Sequence, residues 1–444
     1  MRFKKRATVD LHQVVIVGGG AGGLELATRL GDTLGRKGKA EITLIDRTRT
    51  HVWKPLLHEI AAGSMNPDKH ELEYLAQAHW HHFNFRLGEM DGLDRSKKEV
   101  YISANYDENG AQIIPRRIIK YDTLIIAIGS TTNDFGIKGA RENSIALDTM
   151  NQAERFHRRL HNALVRAQTQ AGPVHAGQLE VVIVGAGATG VELSAELHNT
   201  TRELAAYGLD KIDPDKDISI SLIEASDRVL PALPANLSKA VDLELRKLRV
   251  HVYAGERVTE VTDKGIYTHS GRFIPSELVV WAAGIKAPDF LNGLDGLETN
   301  RINQLVVKRT LQTTVDEDIF AFGDCAACPR IGSVDNVPPR AQAAHQQASM
   351  LIKTLKVRLR GGELPNYVYR DYGSLVNLGR YSTVGSLMGS LSGGTMFIEG
   401  MFARLMYQSL YKMHLIALHG FFTVFLQTLA RMITRRTEPQ VKLH

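Results

Sequence analysis

The chain has 444 residues, 43% of them hydrophobic and 23% charged, an ordinary globular composition with room for two or three domains. The formal net charge is +6, with basic residues gathered at the two ends (Arg2, Lys4, Lys5, Arg6; Arg431, Arg435, Arg436, Lys442) and no interleaved aromatic–basic pattern. That argues against a nucleic-acid partner and for an anionic membrane surface, and the only cysteines, Cys325 and Cys328, exclude a disulfide framework.

The N-terminal MRFKKRATVD runs straight into an apolar strand, Val14–Val17, without the apolar core of a secretion signal, so a reducing compartment is expected. Next comes Gly18-Gly19-Gly20-Ala21-Gly22-Gly23, opening a helical pattern. This is the dinucleotide-binding fingerprint. Gly18 allows the tight turn, Gly20 admits the pyrophosphate to the backbone, and Gly23 lets helix and strand pack closely, with Ala21 and Gly22 between them. The phosphates would sit on the free N–H groups of the helix start. A second strand, Ile42–Ile45, ends in Asp46, followed by Arg47. An acidic residue about 20 positions past the glycines is placed for ribose hydroxyls.

A β-rich excursion (Glu99–Tyr106, Ile113–Lys120) leads to a closing strand, Thr123–Gly129, and a helix is predicted over Asn151–Gln170. The fingerprint then recurs. Val181–Val184 precedes Gly185-Ala186-Gly187-Ala188-Thr189-Gly190, and after a helix and the polar loop Leu209–Asp217 the strand Ile218–Ile223 ends in Glu224. A carboxylate there favours a free 2′-hydroxyl, hence NADH over NADPH, a preference that Arg228 could soften. The unit closes with Leu278–Gly284. Its ending, LVVWAAG, echoes TLIIAIG at Gly129, and Gly129 and Gly284 are candidate cofactor contacts. One mononucleotide-binding plan is used twice, the second inserted in the first. The fold class is α/β: two Rossmann-like dinucleotide-binding domains and a C-terminal β/α membrane-associating region. Two dinucleotides held at once point to electron transfer between them.

The segment Thr313–Asp324 reads as a short buried strand ending in Gly-Asp. It sets Asp324 at the carboxyl end of a sheet, within reach of the ribityl chain of a flavin. The Cys325-Ala326-Ala327-Cys328 that follows suggests a dithiol or a metal pair, but zinc would need further ligands and none has convincing spacing. No metal is expected, and the cysteines read as small packing residues. Towards the end no stretch reaches the ~20 uninterrupted apolar residues of a spanning helix. Leu415–Ile433 is predicted as an amphipathic helix, with Leu415, Leu418, Phe422, Phe425, Leu426, Leu429 and Ile433 on one side and His419, Thr423, Gln427, Arg431 and Thr434 on the other. Lys412, Arg435 and Arg436 flank it, and Phe402, Leu405, Met406, Leu410 and Tyr411 suggest another apolar face upstream. These faces suit a membrane interface, and they also suit packing on the body or on a second copy of the chain, as a homodimer surface.

Together these features resemble the two-dinucleotide flavoprotein superfamily. The likeness sharpens to the type II, non-proton-pumping NADH:quinone oxidoreductases, especially the bacterial respiratory form. It is carried by HVWKPLLHE (His51–Glu59), ATGVELSAELHN (Ala188–Asn199), WAAGIKAPDFL (Trp281–Leu291), GLETNRINQLVV (Gly296–Val307) and PPRAQAAHQ (Pro338–Gln346), and it covers nearly the whole chain.

The resemblance implies that Gly18, Gly20, Gly23 and Asp46 serve FAD, with Lys54 nearby and Asp324 on the ribityl chain, and that Gly185, Gly187, Gly190 and Glu224 serve NADH. The family's AQxAxQ pattern appears as Ala341–Gln346, which implies quinone contacts for Gln342 and Gln346 and a place for His345 in a proton path. Glu192, read as lying on the first turn after Gly190, would orient the nicotinamide or relay protons. The implied layout is an FAD domain of residues 1–150 and 296–350, an NADH domain of 151–295, and a C-terminal region of 351–444. The implied activity passes a hydride from NADH to FAD and two electrons to a membrane quinone, ubiquinone or menaquinone, at the cytoplasmic face of the inner membrane. Its rivals are a sulfide:quinone oxidoreductase-like enzyme, which needs separated cysteines, and a flavin-bearing protein that senses NADH.

Overall fold

The structure, a computed structural model, describes residues 11–208, 210–378, 382–387 and 396–434. The basic residues at 2–6, together with Arg435, Arg436 and Lys442, lie outside these, as do Leu209 and the side chains of Phe402, Leu405, Met406, Arg431, Ile433 and Thr434. The chain divides into two units, neither of them continuous. The first comprises Met1–Trp53, Glu71–Thr131 and Lys286–Arg370, and the second Lys54–His70, Thr132–Ile285 and Asp371–His444.

The first unit is built on a five-stranded parallel sheet. Its order is Ile319–Ala321, Thr123–Ile126, His12–Val17, Ala40–Asp46, Asn84–Leu87. The run Val14–Val17 makes the central strand because both its faces are covered, each side chain being at most 3% exposed. Burying one such side chain is worth about 1.5–3 kcal/mol. The chain steps outward from this strand in one direction and later returns on its other side. The reversal leaves a crevice at the carboxyl end, where Gly18 begins. The helix Ala21–Leu30 follows the turn, and the helix Ala341–Arg358 packs along it. The β-rich excursion becomes an antiparallel sheet of Met90–Asp94, Glu99–Ile102 and Arg117–Lys120.

The second unit repeats the plan. Its parallel sheet runs Ile145–Ala146, Leu278–Trp281, Glu180–Val184, Ser219–Glu224, Val250–Ala254. One face is closed by a meander (Val258–Thr262, Gly265–Thr268, Phe273–Pro275) over a core that includes Val182, Ile223, Val261, Ile266 and Trp281. The helix Met150–Thr169 starts with a capping box, Thr149 with Gln152, and the helix Ala188–Ala206 follows the second glycine turn. The short helix Leu57–Ala62 packs against both.

The C-terminal part of this unit is an antiparallel sheet (Gly373–Leu378, Ser382–Leu387, Met396–Glu399) and two helices, Gly400–His419 and Phe421–Thr434. The single helix expected over Leu415–Ile433 is therefore corrected to two. Gly420, at φ +79°, turns the chain left-handed between them. Leu418 and Val424 are buried, and Lys412 Nζ donates to Thr428 Oγ1 at 2.9 Å, tying one helix to the other. Phe421, Phe422, Phe425, Leu426 and Leu429 stay exposed, at 45–72% of their full area. Among the described residues no helix is long and apolar enough to cross a membrane.

Candidate active site

The two glycine turns have the same geometry residue for residue. Gly18 and Gly185 both stand at φ +103°, and a Cβ on either would strike backbone of the adjacent strand ending, at Ala127 or Ala283. A Cβ on Gly23 or Gly190 would land on the carbonyl oxygen of Gly18 or Gly185. Gly20 and Gly187 differ from these in that a Cβ there would meet nothing within 4 Å. Each of the latter caps its helix without a side-chain hydrogen bond, and neither helix has an acidic residue in its first turn. The positive helix ends at Ala21 and Ala188 therefore face open space with their N–H groups uncommitted to side chains. Both hollows fit a dinucleotide diphosphate.

The strand-end acids complete each turn. Asp46 accepts from Gly19 N at 2.6 Å and from Thr48 N at 2.8 Å; Glu224 accepts from Ala186 N and Ser226 N, each at 2.8 Å. Each carboxylate is thus anchored to its own glycine turn and held at the end of its strand, where a ribose would lie. Arg228 donates to the Pro231 carbonyl at 3.2 Å. Arg47 pairs with Glu89 at 3.6 Å on the surface, and Lys54 pairs with Asp148 at 3.0 Å in the second unit.

The first turn has a cover that the second lacks. A Cβ on Gly22 would run into the Phe322 ring and close on Ala344, whereas Gly187, Ala188 and Thr189 are exposed. At the strand endings, Gly129 faces open space, while a Cβ on Gly284 would meet the ring of Phe135. Asp324, on the turn Gly323–Cys325, accepts from Ser130 Oγ at 2.9 Å, and its carbonyl accepts from Gln304 Nε2 at 2.9 Å. The Gly323 N–H donates to Gln347 Oε1 at 2.8 Å. The buried Gln347 thus fixes the Gly-Asp turn. Sequence reasoning passed over it because it stands just past the AQxAxQ pattern.

Within that pattern, His345 Nδ1 lies 2.5 Å from Glu25 Oε2, and Glu25 Oε1 takes Arg29 Nη1 at 3.0 Å. Gln346 is tied at both amide ends to the Arg370 backbone, donating to its carbonyl at 2.8 Å and accepting from its N–H at 3.0 Å. Gln342 is half-buried at the helix start. Glu192 requires a correction. Its helix begins at Ala188, so it stands past the first turn, and no acid occupies that turn to meet the helix dipole. It is 7% exposed, accepts from Asn377 N at 3.0 Å, and lies 3.7 Å from His58 Nδ1. Glu25 occupies the matching place on the first fingerprint helix. The repeated Gly-Leu-Glu-Leu and Gly-Val-Glu-Leu carried that signal in the sequence.

Burial dominates the acid–base behaviour. It pulls His51 down to about 4, against the opposing pull of its bond to the Gly19 carbonyl, and His58 likewise to about 4. Burial, reinforced by the Glu196 charge, pushes Glu59 up to about 8. Tyr74 rises well above the usual phenol range for the same reason. Burial pushes Cys325 up to about 12 and Cys328 to about 11, which keeps both as thiols rather than the nucleophilic thiolates of a redox pair. Among the described residues no group of three or more His, Cys, Asp or Glu is placed to hold a metal ion.

Two parallel sheets on one chain, each followed by a fingerprint glycine turn that opens a helix, have the plan of the two-dinucleotide oxidoreductases. The profile of the pyridine nucleotide-disulphide oxidoreductase family matches residues 12–348. A type II NADH:quinone oxidoreductase of Haemophilus influenzae is 44% identical over 446 residues, covering 98% of this chain and 100% of that protein. One from Staphylococcus aureus (strain NCTC 8325 / PS 47) is 26% identical over 390 residues, covering 87% and 92%. Among solved structures, NDH2 from Plasmodium falciparum in complex with NADH superposes with a TM-score of 0.81 at 19% identity, covering 97% of this chain and 100% of that one. The sulfide:quinone oxidoreductase of Aquifex aeolicus gives 0.72 at 17%, covering 95% of each, so the fold alone does not separate the rivals. The chain belongs to the type II NADH:quinone oxidoreductases.

Proposed function

We propose that this chain is the respiratory enzyme that oxidises NADH and reduces a membrane quinone, ubiquinone or menaquinone, without pumping protons. The observation that carries the reading is the pair of equivalent hollows at Gly20 and Gly187, each with an anchored acid beside it. FAD, when bound, supplies the chemistry, accepting a hydride from NADH and passing two electrons to the quinone.

The residues divide the remaining work. Gly18, Gly20, Ala21, Gly22 and Gly23 hold the FAD diphosphate, Asp46 its ribose, and Gly129 and Asp324 its flavin end, with Arg47 and Lys54 as flanking cations. Gly185, Gly187, Ala188, Thr189, Gly190 and Gly284 hold NADH, and Glu224 disfavours a 2′-phosphate. Gln342, Gln346 and His345 face the quinone, and Glu192 handles protons. The exposed Phe421, Phe422, Phe425, Leu426 and Leu429 rest in the bilayer interface, at the cytoplasmic face, and bring the enzyme to a lipid-dissolved substrate.

Rapid mixing tests the activity: NADH should bleach the flavin absorbance and a quinone analogue should restore it. A protein that takes up no FAD, or whose flavin NADH does not bleach, sinks the proposal. Replacing Phe422 and Phe425 by Glu should abolish binding to anionic vesicles while NADH still reduces water-soluble dyes. Retained vesicle binding would move the anchor elsewhere.

A further inference from the structure

We infer that Glu59 and His58 form a proton relay that supplies Glu192, so that the motif ending in His58-Glu59 is part of the proton path to the quinone. The inference rests on the proposed function and deepens it. NADH and quinone give NAD⁺ and quinol only if one proton per turnover is drawn from solvent. Glu192 is nearly buried and cannot draw it directly.

The short helix Leu57–Ala62 provides the missing steps. Glu59 is one-fifth exposed and so meets water. His58 is 2% exposed and hydrogen-bonds the Pro55 backbone; beyond that contact its Nε2 lies 4.0 Å from Glu59 Oε1 and its Nδ1 lies 3.7 Å from Glu192 Oε2. Both gaps are less than an ångström beyond hydrogen-bonding length, as such bonds often are without ligand. The other titratable groups recorded around this turn are Glu196, on the same helix as Glu192, and His157 of the helix Met150–Thr169, whose ring lies against Gly63.

The protonation states suit the task. Glu59, at about 8, keeps its proton at neutral pH, and His58, at about 4, is a neutral ring that both accepts and donates. The Glu59 proton passes to His58 Nε2 as the Nδ1 proton leaves for Glu192. Glu59 is then reprotonated from solvent, and a ring flip turns the protonated nitrogen toward Glu192 and the bare one toward Glu59, ready for the next proton.

The test uses the holoenzyme and its Glu59→Gln, Glu59→Asp and His58→Gln variants. Infrared spectra of the resting wild-type enzyme should show the carbonyl stretch of a protonated carboxyl group that titrates near 8 and is absent from Glu59→Gln. In Glu59→Gln and His58→Gln, bleaching of the flavin by NADH should keep its rate. Recovery with a quinone analogue should slow roughly ten- to a hundredfold, with a flattened pH profile, and Glu59→Asp should restore part of the loss. If the wild type cycles normally but the band is missing, or if either slow-predicted variant recovers at the wild-type rate, the relay is wrong. If the wild type itself fails to cycle, the fault lies in the proposed function instead. Should His58→Gln not fold, the Glu59 variants and the infrared band decide.

Discussion

The two glycine turns share a backbone and differ in what holds them. In the first, the Gly19 carbonyl accepts from Tyr74 Oη at 2.7 Å and from His51 Nδ1 at 2.9 Å, both donors being buried. In the second, the corresponding Ala186 carbonyl accepts from the Leu230 N–H at 2.8 Å. A Cβ on Gly19 would collide with the Tyr74 phenol, whereas Ala186 is tolerated, which explains a sequence difference the fingerprint leaves open. Phe322 and Ala344 cover Gly22 of the first turn, whereas Thr189, its counterpart in the second, is exposed; Gly20 and Gly187 are exposed alike. Under the proposed assignment, the same loop serves once for a nucleotide that stays and once for one that leaves every turnover.

The largest effect should come from filling the second hollow. A Cβ at Gly187 meets nothing within 4 Å and the position is exposed, so Gly187→Arg should fold and keep its full flavin content while NADH affinity falls roughly a hundredfold, about 2.7 kcal/mol. Normal NADH kinetics would break the assignment of the two turns. Glu224→Ala frees two N–H groups and the ribose position. It should weaken NADH about tenfold and narrow the preference over NADPH, read from the two KM values. On the first side, Tyr74→Phe removes one of the two donors to Gly19. It should cost about 1–2 kcal/mol, seen as easier loss of FAD on dilution, with KM for NADH unchanged.

Acid should act on both units. His51 and His58 have folded values near 4, below the 6.5 of a free histidine, so the native state binds fewer protons than the unfolded chain between these limits. The stability they support is present above about 6.5 and is lost as pH falls toward 4, so Tm should drop over that window and the His51→Asn variant should flatten the drop. The smallest effect is expected from replacing Cys325 and Cys328 together by serine. Activity with a quinone analogue should stay within about twofold, and its loss would revive the sulfide-oxidising rival.

The sequence made the repeated strand–turn–helix plan legible because that grammar is local: each glycine answers to atoms a few residues away. Asp46 and Glu224 were legible for the same reason. The partners of the fingerprint helices were not. His345 reaches Glu25 across 320 residues, and Glu192 meets His58 through a segment that in sequence falls between strands Ala40–Asp46 and Asn84–Leu87. No spacing rule reports such a meeting. Periodicity likewise ran straight through Gly420, since an apolar stripe persists on both sides of a break that one glycine's backbone decides.

The interleaving of the two units has a consequence for biosynthesis. Residues 54–70 emerge early from the ribosome, yet the sheets and helices they pack with are drawn from 132–285 and 371–444, while the first unit waits for everything up to Arg370. Four strands of the first sheet are made by residue 126, but the fifth, Ile319–Ala321, and the helix Ala341–Arg358 follow only after the whole second sheet. The first sheet must therefore keep one edge open while the second is synthesised, and expression yield should depend on chaperone supply as well as on the stability of the finished enzyme.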